Sequence, residues 1–326
     1  MVPEPALVER FRADLGALIA PEARIGVAVS GGPDSLALLL LAAAARPGLV
    51  EAATVDHALR AENRAEAEMV ATLCEQLGVP HAILTVDWDN KPTSAMQERA
   101  RDARYALLDR WLGERGLAGL VTAHQLDDQA ETLVMRLVRG AGVRGLGAMR
   151  PSTRIPGSDR ILLRPLLGWR RSELEGVCAA AGVAPVADPS NDDEQFERVR
   201  VRRALAMTSL DPEMLARSAA HLASAAEALD WSAEQLWRRS VTTEPDCIRY
   251  NQSDAPDELV RRIVARAIAQ LATEGPTGLR GAELDRAVET LRSGGTGTLR
   301  GVRFTGGNLW TFISAPKRTR PVDNLR

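Results

Sequence analysis

The chain has 326 residues, 45% of them hydrophobic, with a formal net charge of −2. That length and apolar content suit two cored domains of about 100 to 200 residues each and exclude a wholly disordered chain. No stretch reaches the about 18 uncharged apolar residues of a membrane span, and the N-terminal "MVPEPALVERF" is too acidic and proline-rich for a secretory leader, so the chain reads as cytoplasmic.

Along the chain, short apolar runs at 25–29, 50–55, 82–86 and 117–122 alternate with amphipathic stretches such as 64–77 and 95–112. The alternation predicts a doubly wound, mostly parallel, Rossmann-like α/β sheet covered by helices on both faces. Ligands of such sheets sit beyond the carboxyl ends of the strands. The first, second and fourth predicted strands run into "SGGPDS", "DHALR" and "AHQLDD", so three polar strand ends converge on one candidate site. Residues 140–170 read as Gly- and Pro-rich loops with one short strand, followed by a helix at 171–181. The stretch 212–293 is mostly helical in pattern, and "TGTLRGVRFTGGNLWTFISAP" has β character around a Gly306-Gly307 turn. A boundary is expected near 205–212. It separates a catalytic domain (1–208) from a mainly helical domain with a terminal β-hairpin (209–316) and a basic tail (317–326).

In Ser30, Gly31, Gly32, Pro33, Asp34 and Ser35, two glycines let the backbone approach a charged group, and the helix that follows offers unpaired N–H groups. Together these make an anion nest. A Walker loop ends in Lys followed by Ser or Thr. Asp34 stands where that Lys belongs, which fits phosphate binding if the Asp holds Mg²⁺; the bland alternative is a helix N-terminal turn. Placed on a helix, His124, Asp128 and Glu131 fall at i, i+4 and i+7 along one side, with Leu133, Val134, Leu137 and Val138 supplying an apolar side. Such carboxylates can bind Mg²⁺, grip an ammonium or accept a proton from an attacking amine, and Asp127 stays open between metal ligand and supporting partner. Asp56 and His57 end the second predicted strand, at the same sheet edge as the loop, and are further candidates for binding its ligand.

Of 41 basic residues only Lys91 and Lys317 are lysines, which leaves 39 arginines. Arginine is the better fork for phosphate, so nucleic-acid contact stays open despite the acidic balance. The stripe Arg198, Arg200, Arg202 and Arg203 is the candidate for nucleic-acid phosphates. Cys74, Cys178 and Cys247 are far apart, with neither a C-x-x-C pair nor metal-ligand spacing.

"SGGPDS" resembles the pyrophosphate loop of the ATP pyrophosphatase (PP-loop) superfamily, whose members cleave ATP between the α and β phosphates. Around it, "VDHALR", "QERARDARYALL", "AHQLDDQAETLVMRLVRGAGVRGLGAM", "RPLL" and "DPSND" occur in the order found in tRNA-isoleucine lysidine synthetases. The resemblance covers residues 24 to 204. It implies an adenine nucleotide alpha hydrolase type of fold, ATP and Mg²⁺ as cofactors, and an isoleucine tRNA with a CAU anticodon and free L-lysine as partners. The reaction implied is ligation of lysine to C2 of cytidine 34 through an adenylated tRNA, which changes codon reading from AUG to AUA. It also implies pyrophosphate on Gly31, Gly32 and the helix start, and lysine contacts at Asp128 and Glu131, with Arg104 from the preceding helix. Where the family commonly has Asn after the first Arg of the stripe, this chain has Val199. Three rivals are weighed. A tRNA thiolase of the same superfamily would use reactive, often paired cysteines. An amidotransferase synthetase would carry a Cys next to the initiator, and this chain begins Met1-Val2-Pro3. A non-catalytic nucleotide sensor would keep the loop without needing His124, Asp128, Glu131 and Arg104 together.

Overall fold

The computed structural model describes residues 2–58, 62–88, 96–186, 195–252, 254–273, 279 and 281–314. The segment "DPSND", the tail 317–326, the end of "VDHALR" and the first predicted residue of the helix at 95–112 lie outside the described residues. Two compact units form: one comprises Met1–Arg139 and Ala148–Ala220, the other Gly140–Gly147 and His221–Arg326. The division falls inside a continuous helix at Pro212–Ser240, which is why no turn signal marks it in the sequence.

The first unit contains α1 (Pro5–Gly16), β1 (Ile25–Ala28), α2 (Pro33–Ala45), β2 (Val50–Asp56), α3 (Glu62–Leu77), β3 (His81–Thr85), α4 (Met96–Arg115), β4 (Gly119–Val121) and α5 (Leu126–Val138). After the four-residue α6 (Val143–Leu146), which belongs to the second unit, follow β5 (Ser152–Arg154), β6 (Ile161–Leu163), α7 (Arg171–Ala180) and α8 (Glu197–Ala206). The strands order as β3-β2-β1-β4-β6-β5, all neighbours parallel except the β5–β6 pair. Where one short strand was expected in 140–170, two form, and β5 closes the sheet edge antiparallel to β6.

In α2, Pro33 opens the helix, a position that needs no N–H. Its Leu36, Leu38, Leu39, Leu40 and Leu41 are fully buried because α1 and α7 pack on the side away from the sheet. Each such leucine contributes about 1.5–3 kcal/mol of burial. The chain runs from β1 outward through β2 and β3, then returns through α4 to β4 on the other side of β1. The switch point between β1 and β4 opens a crevice at their carboxyl ends, the place where α/β sheets bind ligands.

The second unit holds most of α9 (Pro212–Ser240), then β7 (Val241–Glu244), β8 (Cys247–Asn251), α10 (Asp257–Leu271), α11 (Gly281–Arg292), β9 (Thr296–Leu299), β10 (Val302–Thr305) and β11 (Leu309–Ser314). Its sheet, β7-β8-β11-β10-β9, is antiparallel throughout and has five strands where the sequence pattern pointed to a terminal hairpin. Tyr250 and Trp310 meet edge to face in its core, with ring centroids 5.6 Å apart. At Gly306, backbone packs directly on the end of α11: an added Cβ would lie 2.0 Å from the Leu291 carbonyl oxygen. That neighbour is backbone, with no flexible side chain to yield. Gly306→Ala is therefore expected to cost about 3 kcal/mol, read as a lowered melting temperature, and an unchanged melt would show that the turn can move away. Among the described residues no helix is long and apolar enough to cross a membrane.

Candidate active site

The loop between β1 and α2 is tied by Ser35. Its Oγ donates to the Gly32 carbonyl at 2.9 Å, accepts from the Ser30 backbone N–H at 3.1 Å and lies 3.2 Å from Ser30 Oγ. Gly31 has φ of +83°, which L side chains rarely adopt, and its carbonyl accepts from the Val186 N–H at 3.0 Å. Gly32 is the N-cap of α2 and brings no side chain to the helix end, so the first-turn N–H groups face the crevice without a side-chain cap.

Asp34 sits in that first turn. Burial pushes its carboxyl up to about 6, Arg171 and the Gln125 amide draw it down, and Asp128 pushes it further up. Its Oδ1 is buried and has no hydrogen-bond partner among the described residues. Gln125, fully buried, explains the local order: its Oε1 accepts from the Asp127 N–H at 2.5 Å and the Asp128 N–H at 3.4 Å, capping α5. That fixes the amide, whose buried Nε2 side is left to Asp34 and helps to hold its carboxyl down. Asp127 accepts from the Arg171 backbone N–H at 2.9 Å and so ties the start of α7 to the start of α5. Among the described residues no group of three or more His, Cys, Asp or Glu could hold a metal alone. A carboxylate with one buried, unpartnered oxygen at a phosphate loop still fits Mg²⁺, which takes one or two carboxylates and completes its shell with phosphate and water.

At the end of β2, Asp56 turns its Oδ1 back to the Ala58 N–H at 2.8 Å. The His57 carbonyl accepts from Trp88 Nε1 at 2.8 Å. Arg104, expected to reach lysine, lies with Nη2 3.2 Å from His57 Nε2. Burial lowers the His57 imidazole to about 4, with Arg104 adding to the effect and Asp56 opposing it. The neutral ring accepts from Arg104 at Nε2 and carries its proton on Nδ1, which is buried without a partner among the described residues. The linkage has a definite sign: between about pH 6.5 and 4 the unfolded chain binds a proton that the folded His57 refuses, so stability falls as pH falls through that window. His57→Asn is expected to reduce the loss in urea midpoint between pH 7 and pH 5, and an equal loss in both proteins would refute the effect.

His124 lies between β4 and α5, one residue before the Gln125 N-cap, and so is not on the helix face with Asp128 and Glu131 that its spacing predicted; its Nδ1 is 3.0 Å from Thr122 Oγ1. Burial, then Arg164, Arg198, Arg101 and Arg104, bring it down to about 3, so it is a neutral hydrogen-bonding group and a poor proton acceptor at neutral pH. Arg164, from "RPLL", is buried at the end of β6 and donates to the Arg150 carbonyl at 2.8 Å and Thr153 Oγ1 at 3.1 Å.

The acidic face of α5 points inward. Asp128 Oδ2 accepts from the Gln125 N–H at 3.1 Å, and its Oδ1 from Arg198 Nη2 at 2.6 Å. Glu131 accepts from Arg198 Nε at 2.6 Å and from Arg202 Nε at 2.7 Å. Burial pushes Asp128 up and Arg198 only partly offsets it. For Glu131 burial also pushes up, but Arg202 and Arg198 together hold it below the usual carboxylate range. The arginine stripe is thus divided: Arg198 and Arg202, one turn apart on α8, face the carboxylates, whereas Arg200 and Arg203 are exposed. Gln125 and Arg171 join the site without having been singled out from the sequence, and Arg164 was quoted only as the start of "RPLL", with no role given to it. The one available signal was Gln125's place just before the Asp pair at a predicted helix start.

A glycine-rich anion nest at the switch point of a doubly wound sheet, with a half-buried acid in the first helical turn, defines a nucleotide-binding protein. The family model described as "PP-loop domain" matches residues 7–209. The fold alone is similar to a U34-tRNA thiolase from Methanococcus maripaludis, with a TM-score of 0.56, 16% identity, and coverage of 67% of this chain and 79% of that one. A tRNA(Ile)-lysidine synthase of Novosphingobium aromaticivorans is 49% identical over 311 residues, 94% of each chain. One of Zymomonas mobilis is 41% identical over 302 residues, covering 92% of this chain and 91% of that one. The chain belongs to the tRNA(Ile)-lysidine synthase family of PP-loop proteins.

Proposed function

We propose that the protein ligates free lysine to C2 of cytidine 34 in an isoleucine tRNA with a CAU anticodon, converting a reader of AUG into a reader of AUA. The carrying observation is the convergence of the phosphate loop and the Asp128–Glu131 pair at the carboxyl ends of β1 and β4, in a chain of this family. In the first step the C2 oxygen of the cytidine attacks the α-phosphate of ATP and pyrophosphate leaves. In the second an amine of lysine attacks C2, a proton is lost from nitrogen, and AMP leaves with the former C2 oxygen. Activation is needed because a pyrimidine carbonyl oxygen leaves readily only when esterified.

Ser30, Gly31, Gly32 and the N-terminus of α2 hold the pyrophosphate, while Asp56 and His57 border the adenosine. Mg²⁺, held by Asp34, supplies neutralisation of phosphate charge. Asp128 and Glu131 receive lysine's ammonium, Arg104 and His124 line the approach, and the exposed Arg200 and Arg203 contact tRNA phosphates. Residues 209–316 provide the remaining tRNA-binding surface. Sulfur transfer is disfavoured because burial raises the Cys74 thiol to about 12 and the Cys178 thiol to about 11, far from a reactive thiolate. The test is incubation with isoleucine tRNA, ATP and labelled lysine. Label is expected on the tRNA, with AMP and pyrophosphate released in step with its incorporation; AMP release without tRNA and no label on it would refute the assignment.

A further inference from the structure

Two consecutive arginines at the start of α7 turn to different neighbours. Arg170, its N-cap, reaches the surface carboxylates of Asp211 and Glu213 at 2.9 and 2.8 Å. Arg171, the first helical residue, is half-buried, and its Nε is buried without a hydrogen-bond partner among the described residues. The backbone that carries it is fixed from three sides. The Arg171 N–H donates to Asp127 at 2.9 Å, the Trp169 carbonyl accepts from the Leu126 N–H at 2.9 Å, and the Arg170 N–H donates to Glu173 at 2.7 Å. Trp169 is fully buried and is itself anchored, with Nε1 donating to Asp14 at 2.8 Å. The start of α7 is therefore stitched to the start of α5, and α7 also packs along α2. From that place the Arg171 charge is felt by Asp34, where it is the strongest of the neighbouring charges, and by Asp128 as well. A structural arginine among buried carboxylates closes an ion pair, as Arg198 does with Asp128 at 2.6 Å. Arg171 stands between two carboxylates, and its buried donor is paired with neither.

What belongs between those carboxylates follows from the two chemical steps. The loop beside Asp34 takes the pyrophosphate and the acidic pair takes the amine; the α-phosphate, the one group of ATP that reacts in both steps, lies between them. Building on the proposed function, we infer that Arg171 is a further catalytic residue, whose guanidinium binds the non-bridging oxygens of the α-phosphate in both steps. In the first, the C2 oxygen of the cytidine bonds to the α-phosphorus while the bond to the bridging oxygen breaks and its electron pair leaves with pyrophosphate. In the second, a lysine nitrogen bonds to C2, its proton passes to the acidic pair, and the C2–O bond breaks with its electron pair going to the oxygen of AMP. The phosphate gains negative charge in that second step, as a diester becomes a monoester, and a cation already in place stabilises the charge where it forms. Arginine suits the task because its fork spans two phosphate oxygens and stays charged at any working pH. The buried donor that lacks an acceptor in the free protein gains one when the nucleotide binds.

The experiment measures each step on the full chain with saturating substrates. Adenylation is followed with ATP and isoleucine tRNA transcript, lysine omitted; discharge is followed by giving lysine to adenylated tRNA that has been freed of ATP. Arg171→Gln is expected to slow both steps by at least about a hundredfold, the lower end of what loss of one transition-state donor costs, while ATP affinity changes far less. Arg171→Lys, which keeps the charge but loses the fork, is expected to fall between the two, and it takes over the test if the Gln variant does not fold. With sulfur in place of either non-bridging α-oxygen of ATP, the rate penalty is expected to be smaller in the variant than in the wild type for at least one of the two isomers, because the variant has already lost the contact that sulfur weakens. A merely structural arginine leaves both sulfur penalties unchanged. That result overturns the assignment, as do adenylation and discharge at wild-type rates in the variant. A wild-type protein that attaches no AMP to tRNA overturns the proposed function itself; one that does so while Arg171→Gln matches it removes only the role of this residue.

Discussion

Asp34→Ala is expected to lower attachment of AMP to tRNA by at least about a thousandfold, even with lysine omitted, while leaving the melting temperature unchanged or slightly raised. The two readouts follow from one observation. Asp34 is a half-buried acid whose carboxyl is pushed up to about 6, so keeping it ionised at neutral pH opposes folding. Its place in the first turn of α2 returns about 0.3–1 kcal/mol through the helix dipole, which leaves little net stability to lose. Arg171 and the Gln125 amide offset that cost only in part, and a cation and phosphates complete the compensation in the step that forms the adenylated tRNA. The measurement is a mass or gel assay for AMP on tRNA, beside a thermal melt. A variant that adenylates normally would reduce Asp34 to a helix-start residue, and one that melts far below the wild type would make its role structural.

The parts of this site readable from the sequence are those where local chemistry has one solution. Gly31 and Gly32 between an apolar strand and an apolar helix leave little besides a backbone nest, and the structure places Gly31 at positive φ in that turn. Asp128 and Glu131 share a helical face by spacing alone. The company they keep is not legible from spacing, because α8 comes about seventy residues later. A 3.6-residue period puts Arg198 and Arg202 on one face with Arg200 on another, but which face meets α5 depends on tertiary packing. Gln125 was hidden for a different reason: a glutamine before two aspartates reads as an ordinary helix start, and its burial depends on the neighbouring Asp34 and α7. In the second unit, "VTTEPDCIRYN" folds into β7 and β8, yet its short runs lie between strong helical patterns, so Pro245 reads as punctuation within a helical region instead of the turn of a hairpin. The division within α9 follows the same logic, since a continuous helix gives no local sign of where one core ends.

Glu131→Gln is expected to separate the two chemical steps. With ATP and tRNA but no lysine it still adenylates the cytidine, because the nest, Asp34 and the α2 N-terminus are untouched. Added lysine then discharges the intermediate slowly, since the amide neither attracts an ammonium nor accepts its proton. The substitution keeps shape and leaves Arg198 its bond to Asp128, and the half-exposed Arg202 can turn to solvent, so the fold has an outlet for the lost charge. A charged hydrogen bond is worth about 1.5–3 kcal/mol, one to two decades in affinity, so Asp128→Asn is expected to raise the lysine requirement by that factor while moving the ATP requirement much less. The discriminating measurement is the amount of AMP on tRNA before and after lysine is added to each variant. Accumulation followed by slow discharge assigns the acidic pair to the amine. Failure of Glu131→Gln to adenylate while it folds and binds ATP normally would move the pair, and the arginines it holds, into the first step; equal losses for ATP and lysine in Asp128→Asn would make that carboxylate a metal ligand beside Asp34.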